Sequence, residues 1–405
     1  MAVLVDRSYG LALLRRWRDR PLIKVVTGVR RCGKSTLLEL FRRELLAEGI
    51  PPDQIVAMNL ESPDDARLAP SHLALYDHVV SRLNPNGTTY VFIDEVQLIE
   101  GFEKAINGLN LLDQVDVYVT GSNASLLSGE LATLLSGRSV EIPLSPFSFG
   151  EYLAGRRQRD PATSPDRAFL DFSRSGSFPL TVSLLPDVDA ISDYLDGVLN
   201  TVLIKDVMVR QGVRDAQALR DVTAFFLENV GNQTSLRRVV NTLESAGRKP
   251  SPNTVERYLT GLLDAFILYP LRAYDTKGLR HLDTPAKYYA VDPGLRAAVT
   301  RRPSDDVGHV LENIVFLELR RRYRNLWMTR SGGGEIDFVA SDETGFTYFQ
   351  VAATVREQAT RERELAPLLA VKDHSPKWLL TLDPDPPMAH EGIQQRYVVD
   401  WLLEG

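Results

Sequence analysis

Short apolar runs alternate with segments of helical period along the first third of the chain. The runs PLIKVVTG, QIVAMNL, TTYVFIDEV and VDVYVTGSN are nearly continuous in apolar character, and each is followed by apolar residues at helical spacing. Strands that are apolar on both faces are typical of a parallel sheet covered by helices. The pattern therefore predicts an α/β domain, with a leading helix over residues 9–19 before the first strand.

The pattern changes after the stretch EIPLSPFSFGEYLAG. A polar connector, RRQRDPATSPD, leads into a region up to residue 230 that predicts helices with little strand. Two short helical segments around the break RKPSP then indicate a helix-turn-helix unit. The last part of the chain, from residue 301, predicts a helix over 310–323 followed by the strands GEIDFVA and FTYFQVA.

Composition and charge narrow the class of protein. The chain has 47 Lys and Arg against 53 Asp and Glu, a formal net charge of −6, so as a whole it is not a basic nucleic-acid coat, although local basic faces remain open. The single cysteine, Cys32, excludes a disulfide framework and a multi-cysteine zinc site. We expect no signal peptide, and no apolar run approaches the roughly 18 residues of a membrane span. The expectation is a soluble, cytoplasmic protein.

A P-loop follows the first predicted strand and opens a helix. Its pattern is Gly28-x-x-x-x-Gly33-Lys34-Ser35, in which glycines let backbone N–H groups surround a phosphate and the helix N-terminus adds its dipole. Lys34 is expected to reach the β- and γ-phosphates, and Ser35 to ligate Mg²⁺. The predicted nucleotide-binding segment consists of Gly28, Val29, Arg30, Arg31, Cys32, Gly33, Lys34, Ser35 and Thr36.

The residues between the two glycines of this loop are not predicted to take part in catalysis. Arg30 and Arg31 are expected to point away from the phosphates or toward a neighbouring molecule, with no catalytic role. Cys32 is expected to be a small residue of the loop, whose thiol would be open to oxidation if it were exposed.

A Walker B arrangement ends the third predicted strand, YVFIDE. Asp94 is predicted to position Mg²⁺ and Glu95 to orient and polarise the attacking water. Acids often end strands, but the coupling to a P-loop makes this pattern specific. A chain with this acidic pair is expected to hydrolyse ATP as well as bind it.

Two further predictions concern the γ-phosphate. Ser122 and Asn123 end the strand VYVTGSN, where ligands of parallel sheets bind, and are predicted to sense the phosphate; a simple turn is the alternative. Arg138 follows the next predicted helix and is predicted to act as an arginine finger in a neighbouring subunit's site. The alternative is an ordinary surface arginine.

The motifs together resemble a widespread family of bacterial and archaeal AAA-type ATPases. The stretches that carry the resemblance are TGVRRCGKSTLL, FIDEVQ, TGSNASLL, GRSVEIPLSPFSFGEYL, KYYAVDPGLR and LENIVFLEL. The family implies an AAA+/STAND-type P-loop ATPase with a parallel sheet over residues 1–155. A helical lid or linker is implied over 156–230, a winged helix over 231–300, and an α/β restriction-endonuclease-like domain over 301–405.

The lid departs from the pattern of its class. Such ATPases commonly carry Gly-Gly-x-Pro, whereas this chain has Gly176, Ser177 and Pro179 in SGSFPLTV. A role of this turn in sensing the nucleotide state is a hypothesis.

The C-terminal region resembles a nuclease that has lost part of its site. Such nucleases use a helix Glu, a strand Asp and a Glu-x-Lys strand to hold Mg²⁺ and activate water. Here Glu312 and Asp337 match, but Gln350 and Ala352 replace the last pair. We predict a degenerate nuclease-like site of Glu312, Asp337 and Gln350 in which cleavage is lost. Glu335 would be a substitute ligand or would merely flank Asp337.

The helix-turn-helix segment is predicted to contact DNA. Its positive charges are Arg237, Arg238, Arg248, Lys249, Arg257, Lys277 and Arg280. They suit phosphate contacts. Glu244, Glu256 and Asp264 oppose this, and winged helices also serve as lids or protein contacts. None of the scattered histidines is predicted to bind metal, and His309 is expected to cap the helix of Glu312.

The combined prediction is an oligomeric ATPase with ATP and Mg²⁺ as cofactors, which couples nucleotide state to duplex or branched DNA. Two alternatives stay open. One is a STAND-type switch that acts on a protein partner and is indifferent to DNA. The other is a nuclease gated by ATP, against which the Gln350 and Ala352 pair argues.

Overall fold

The computed structural model describes residues 4–124, 137–213, 215–248, 250–275, 280–281, 284–300, 306–331 and 334–404. The chain forms two compact units. The N-terminal unit comprises Leu4–Pro146 together with Asp264–Phe266, and the C-terminal unit comprises Phe147–Leu263 and Ile267–Gly405. No helix among these residues is long and apolar enough to cross a membrane.

The N-terminal unit is a parallel sheet with helices, as the apolar runs predict. Its strands are β1 Ile23–Thr27, β2 Ile55–Asn59, β3 Thr89–Asp94, β4 Val115–Gly121 and β5 Ser139–Pro143. They lie in the order β2-β3-β4-β1-β5, and every neighbouring pair is parallel. Every residue of β1 and β3 is buried, which explains why these strands are apolar on both faces.

One helix of this unit precedes its first strand, and the others lie between strands along the chain. They are α1 Ser8–Trp17, α2 Lys34–Ala47, α3 Pro63–Leu68, α4 His72–Val80 and α5 Phe102–Asn110. Side chains of α4 and α5, including Leu75, Ile106 and Leu109, pack with strand residues such as Val91 and Val117 in one apolar core. This core holds β3 and β4 in place, so the residues at their carboxyl ends sit on a rigid base.

The C-terminal unit opens with helices, as predicted for the region before residue 230. They are α6 Phe149–Arg159, α7 Pro165–Ser175, α8 Pro179–Leu184, α9 Val188–Thr201, a π-helical segment Val202–Met208, α10 Val209–Gln211 and α11 Ala216–Glu228. Ser148 and Glu151 form a capping box that starts α6. Phe149 and Tyr152 of α6 then pack edge-on against Phe172 of α7, which fastens α6 to the helices that follow it.

Two helices and a small sheet follow. The helices are α12 Leu236–Ser245 and α13 Pro252–Asp264, and the strands are β6 Gln233–Thr234, β7 Leu268–Leu271, the two-stranded pair β8 Tyr274–Asp275 and β9 Arg280–His281, and β10 Ala286–Ala290. The side chain of Ser235 caps α12 by accepting a hydrogen bond from the backbone of Arg238. β10 lies between β6 and β7 and is antiparallel to both.

The end of the unit is a mixed sheet with helices. Its elements are α14 Pro293–Thr300, α15 Val307–Arg322, β11 Asn325–Ser331, β12 Gly334–Asp342, β13 Gly345–Ala352, α16 Gln358–Leu369, β14 Lys377–Thr381, β15 Met388–His390, β16 Ile393–Tyr397 and α17 Val398–Leu403. The sheet order is β11-β12-β13-β14-β16-β15. Ile336 and Tyr348 on β12 and β13 pack with Leu365 and Leu368 of α16, so the two strands are firmly placed.

The expectation for His309 is wrong. Asp306 is the N-terminal cap of α15 and accepts from the backbone N–H of His309, which lies inside the first helical turn. An aspartate caps better because its carboxylate is a pure acceptor for the free N–H groups of that turn. His309 supports the cap through its ring, whose Nδ1 lies 2.7 Å from Asp306 Oδ1.

Candidate functional site

The P-loop connects the end of β1 to the start of α2. Gly28 has φ +147°, and a Cβ atom there would lie 2.0 Å from the backbone oxygen of Leu144, so no larger residue fits without a shift. Gly33 has φ +104° and immediately precedes the first residue of α2. Both glycines thus hold backbone geometry that other residues rarely adopt, and the loop ends in the free N–H groups of a helix.

Lys34 lies folded back over this loop. Its side chain is buried, and its Nζ donates to the backbone oxygens of Gly28, at 3.0 Å, and Val29, at 3.3 Å. The same Nζ lies 3.9 Å from Oε1 of Glu95. Ser35 and Thr36 are exposed in the first turn of α2. The lysine and the acidic residue of two separate motifs therefore meet at one edge of the sheet.

Two of the remaining loop residues lie as expected. Arg30 forms an ion pair with Glu61 at 2.9 Å, which directs it away from the loop interior. Cys32 is fully buried, so the exposure that oxidation would require is not met; burial raises its pKa and disfavours the reactive thiolate.

Arg7 anchors the loop from outside any motif. Its Nη1 donates to the backbone oxygen of Cys32 at 2.9 Å, and its Nη2 to that of Ser145 at 2.6 Å. Arg7 thereby ties the P-loop to the segment after β5. Sequence reasoning missed it because it precedes α1, outside any recognised pattern.

The acidic pair is held by two residues that the motifs contain but that sequence reasoning left without a role. Thr120 of β4 donates its hydroxyl to Asp94 and accepts the backbone N–H of Glu95 at 2.9 Å. Gln97 donates its amide to Oε2 of Glu95. Glu95 has φ +53°, in the left-handed region, where a non-glycine residue is uncommon. Backbone and side chain of Glu95 are thus both fixed.

The order of the strands places the predicted phosphate sensors. β4 lies between β1, which leads into the P-loop, and β3, which ends in Asp94. Ser122 and Asn123 directly follow β4, and both are buried. They therefore lie at the carboxyl edge between the lysine and the acidic pair, where ligands of open α/β sheets bind.

Arg138 lies at the other edge of this sheet. Its backbone oxygen accepts from Ile23, the first residue of β1, whereas the P-loop follows the last residue of that strand. Its exposed side chain donates to Asn107 at 2.8 Å. The structure therefore does not bring Arg138 to the P-loop of its own chain. The helix predicted before Arg138 falls largely on residues 125–136, outside the described part of the chain.

The turn SGSFPLTV lies against a buried carboxylate. Asp292 accepts the hydroxyl of Ser177 at 2.7 Å and the backbone N–H of Gly294 at 2.8 Å. Gly176 has φ +75°, and a Cβ atom there would lie 2.1 Å from Asp292 Oδ1. Burial raises the pKa of Asp292, and the bonds from Ser177 oppose that rise. The turn is thus part of the packing of its own unit, and its role as a nucleotide sensor stays a hypothesis.

The predicted nuclease-like residues converge in the C-terminal unit. Glu312 lies on α15, Asp337 on β12 and Gln350 on β13. Gln350 Oε1 accepts the backbone N–H of Asp337 at 3.4 Å, and its amide donates to Glu364 at 2.8 Å. Glu335 belongs to the same cluster. The residue that sequence reasoning missed is Lys287 of β10, whose Nζ lies 2.8 Å from Glu312, 2.6 Å from Glu335 and 3.7 Å from Asp337.

The charges of this cluster shift each other's ionisation. Burial and the carboxylate of Glu312 raise the pKa of Asp337 well above its ordinary value, although Lys287 opposes the shift. Burial acts to lower the pKa of Lys287, but the carboxylates of Glu312, Asp337 and Glu335 outweigh it and raise that pKa. Ala352, at the former lysine position, packs in the apolar core.

Comparison with known proteins agrees with the fold of the N-terminal unit. Residues 20–153 match the family model of an AAA domain, and residues 167–306 match a domain of unknown function (DUF8612). The Walker-type ATPase of Pyrococcus abyssi has a similar fold, with a TM-score of 0.50 and 16% identity over 73% of this chain and 96% of that chain. Residues 20–153 therefore form an AAA domain with the fold of a P-loop ATPase.

Full-length relatives specify the family further. The chain is 36% identical to an uncharacterised protein of Haemophilus influenzae over 99% of both chains. It is 28% identical to an uncharacterised protein of Methanocaldococcus jannaschii over 87% of this chain and 79% of that protein. The chain therefore belongs to the same family as the Haemophilus protein.

Proposed function

We propose that the chain is an Mg²⁺-dependent ATPase that works as an oligomer and couples its nucleotide state to duplex or branched DNA. The observation that carries the proposal is the 3.9 Å approach of Lys34 Nζ to Glu95 Oε1. It brings a phosphate-binding cation and an acidic residue, suited to orienting water, to the end of one parallel sheet.

The residues present fit a bound nucleotide with Mg²⁺. The loop from Gly28 to Gly33 and the N-terminus of α2 offer backbone N–H donors, and the exposed hydroxyl of Ser35 and the carboxylate of Asp94 are oxygen ligands of the kind that Mg²⁺ takes. The ion supplies charge neutralisation for the phosphates when bound. Lys34 uses two of its three N–H donors on the carbonyl oxygens of Gly28 and Val29, and the third is available for a phosphate oxygen.

Glu95 and its neighbours have separable tasks in this proposal. Glu95 orients the attacking water, while Gln97 and Thr120 hold its side chain and backbone and act as positioning residues. Ser122 and Asn123 read the presence of the γ-phosphate from the end of β4. Because Arg138 lies at the opposite edge of its own sheet, its proposed role as a finger requires a neighbouring subunit.

The DNA-binding part of the proposal rests on α12 and α13 as the helices of a winged helix, with β6, β10 and β7 as its sheet. Arg257 is exposed on α13, the proposed recognition helix. A shallow polar hollow of about 380 Å³ on α12 is lined by Ser235, Arg237, Arg238, Asn241, Thr242 and Ser245. Arginines beside hydroxyl and amide groups suit phosphate contacts.

Not every predicted basic residue contributes to this surface. Arg248 forms an ion pair with Asp221 at 2.9 Å, which offsets its charge. Lys249 and Lys277, and the side chain of Arg280, lie outside the described residues. Because the charge of Arg248 is offset, we propose weak contacts, regulated by nucleotide, rather than tight unregulated binding.

The test is the steady-state ATPase rate of the full chain with Mg²⁺, measured with and without duplex and four-way-junction DNA. We expect DNA to raise the rate several-fold and salt to suppress this effect. Replacing Arg237 and Arg238 by Glu is expected to abolish the stimulation without changing the basal rate. The matched control replaces Arg67 and Lys104, two exposed charges of the N-terminal unit, by Glu.

Two other outcomes separate the alternatives. A slow rate that no DNA alters would favour a nucleotide-state switch that acts on a protein partner. Cleavage of DNA in Mg²⁺ or Mn²⁺ that depends on ATP and Asp337 would instead favour a gated nuclease. If the unsubstituted chain did not hydrolyse ATP at all, the proposed function would be wrong.

A further inference from the structure

The acidic cluster of the C-terminal unit already contains a cation. Three carboxylates, from Glu312, Glu335 and Asp337, face the ammonium of Lys287 at 2.8, 2.6 and 3.7 Å. The side chain of Lys287 is only 6% exposed, so it does not reach the cluster from solvent. The ammonium is within hydrogen-bond distance of Glu312 and Glu335, and Asp337 adds its charge from a longer distance.

The backbone of β10 directs two residues into this cluster. Lys287 and Tyr289 lie two positions apart on a strand and so project from the same face. The hydroxyl of Tyr289 donates to Glu312 Oε1 at 2.6 Å, the same oxygen that accepts from Lys287. Pairing of Lys287 with Gln233 on β6 and Leu271 on β7 fixes the register of the strand. The lysine is therefore placed by the sheet, not by a flexible loop.

The remaining acceptors of the cluster are also bonded to protein groups. Gln233 donates to Glu335 Oε2 at 2.9 Å, and the backbone N–H of Val351 donates to Asp337 Oδ2 at 2.9 Å. Buried carboxylates are stable only when they are paired and hydrogen-bonded. Here the protein supplies both the charge and the bonds from its own side chains and backbone.

An ammonium and a divalent metal ion compete for the same oxygens. Charge-assisted N···O contacts span about 2.7–2.9 Å, whereas Mg²⁺ and Ca²⁺ hold oxygen at roughly 2.0–2.6 Å. A metal bound jointly by these three carboxylates would have to take the place of Nζ, because all three oxygens face it. In the described part of the chain, no group of three or more His, Cys, Asp or Glu side chains is arranged to hold a metal ion, so these carboxylates would have to move closer together around a metal that replaced Nζ.

We propose that Lys287 is a built-in cation that fills the acidic cluster of Glu312, Glu335 and Asp337, keeps divalent metal out, and fastens β10 to α15 and β12. The cluster then stabilises the C-terminal unit and does not bind a catalytic ion. This inference does not depend on ATP hydrolysis, so it stands or fails apart from the proposed function.

The experiment measures Mn²⁺ binding to the nucleotide-free full chain by electron paramagnetic resonance. Every protein carries Asp94→Asn, which weakens metal binding at the P-loop. We expect the parent to bind no Mn²⁺ that depends on Asp337, and Lys287→Met to gain about one Mn²⁺ per chain. Adding Asp337→Asn to Lys287→Met should remove the gain, and Lys287→Arg, which keeps the charge, should resemble the parent.

A folding defect of the variant is itself informative. If Lys287→Met is unfolded without metal, Mn²⁺ should restore its circular dichroism, because a ligand that binds only the folded state stabilises it. Asp337-dependent Mn²⁺ binding by the parent would overturn the proposal. So would a folded Lys287→Met chain with no added Mn²⁺, or an unfolded one that Mn²⁺ does not restore.

Discussion

Two acidic sites in the described part of the chain, around Lys34 and around Lys287, each contain a buried lysine, but the lysines touch different partners. Lys34 donates to two backbone carbonyls and stands 3.9 Å from one carboxylate. Lys287 lies within 2.8 Å of two carboxylates and within 3.7 Å of a third. Neutral carbonyls can be exchanged for phosphate oxygens, whereas three carboxylates bind an ammonium as their counter-ion.

The comparison teaches that a lysine among acids is not by itself a functional signal. In the proposed nucleotide site, Lys34 bonds to neutral carbonyl oxygens and has a donor left for a phosphate oxygen. In the C-terminal unit, Lys287 is itself the cation among the carboxylates. The partners of the ammonium, and not its burial, thus distinguish the proposed phosphate site from an internal ion pair.

The largest expected effect concerns Lys34. Lys34→Ala should reduce ATP hydrolysis by about 10³-fold or more, because the positive charge on the phosphates is lost. The measurement is the release of phosphate from ATP by the purified full chain. Lys104→Ala, at an exposed position of α5, is the matched control and should keep the parent rate. An active Lys34→Ala chain would remove the contrast between the two lysines.

Glu95→Gln should lower turnover by about 10²-fold while leaving ATP binding intact, because the amide cannot polarise water as a carboxylate does. Binding is followed with a fluorescent ATP analogue and turnover by phosphate release. Glu100→Gln changes an exposed acid nearby in the same way and should have no effect. Turnover of Glu95→Gln at the parent rate would show that another group orients the water.

Loss of Lys287 should affect stability rather than ATP turnover. Lys287→Met is expected to cost about 3–5 kcal/mol of unfolding free energy at neutral pH without metal, since buried carboxylates lose their counter-ion. Chemical denaturation followed by circular dichroism measures this value. Lys372→Met, at an exposed position after α16, is the control. A cost below about 1 kcal/mol would mean that the ammonium stabilises the cluster little.

The contribution of Lys287 to the free energy of unfolding should depend on pH in a definite direction. The pKa of Lys287 is higher in the folded chain than its ordinary value, so its stabilising contribution is complete below about pH 10. The contribution should be lost as pH rises further, through the folded value. On the alkaline side, the difference in unfolding free energy between parent and Lys287→Met should therefore shrink only above about pH 10. A difference that shrinks between pH 6 and 9 would contradict this assignment.

The smallest expected effect concerns Gln97. Gln97→Ala removes the amide that holds Glu95 Oε2, so turnover should fall by about tenfold with little change in ATP binding. Gln97→Glu should lower turnover further because it places a second negative charge beside Glu95. Equal rates for the parent and both variants would show that the bond has no part in positioning Glu95.

The sequence by itself determined which motifs the N-terminal unit contains. The P-loop is one strand, one loop and one helix in direct succession, so its glycines, lysine and serine act within a few residues of each other. The acidic pair likewise ends a single buried strand. The nearly continuous apolar runs were enough to predict the parallel sheet, because strands that are apolar on both faces must be covered by helices on both faces.

Only the tertiary structure decided which residues support these motifs. Thr120 meets Asp94 because β4 is placed beside β3, and Lys287 meets Glu312 because β10 packs near α15. Such pairs are 25 or 26 positions apart in the chain, and no local pattern marks them. Side-chain convergence depends on strand order and register, which are set by packing over the whole unit. The motifs were therefore readable in the sequence, whereas the internal cation and the contact of Thr120 with the acidic pair were not.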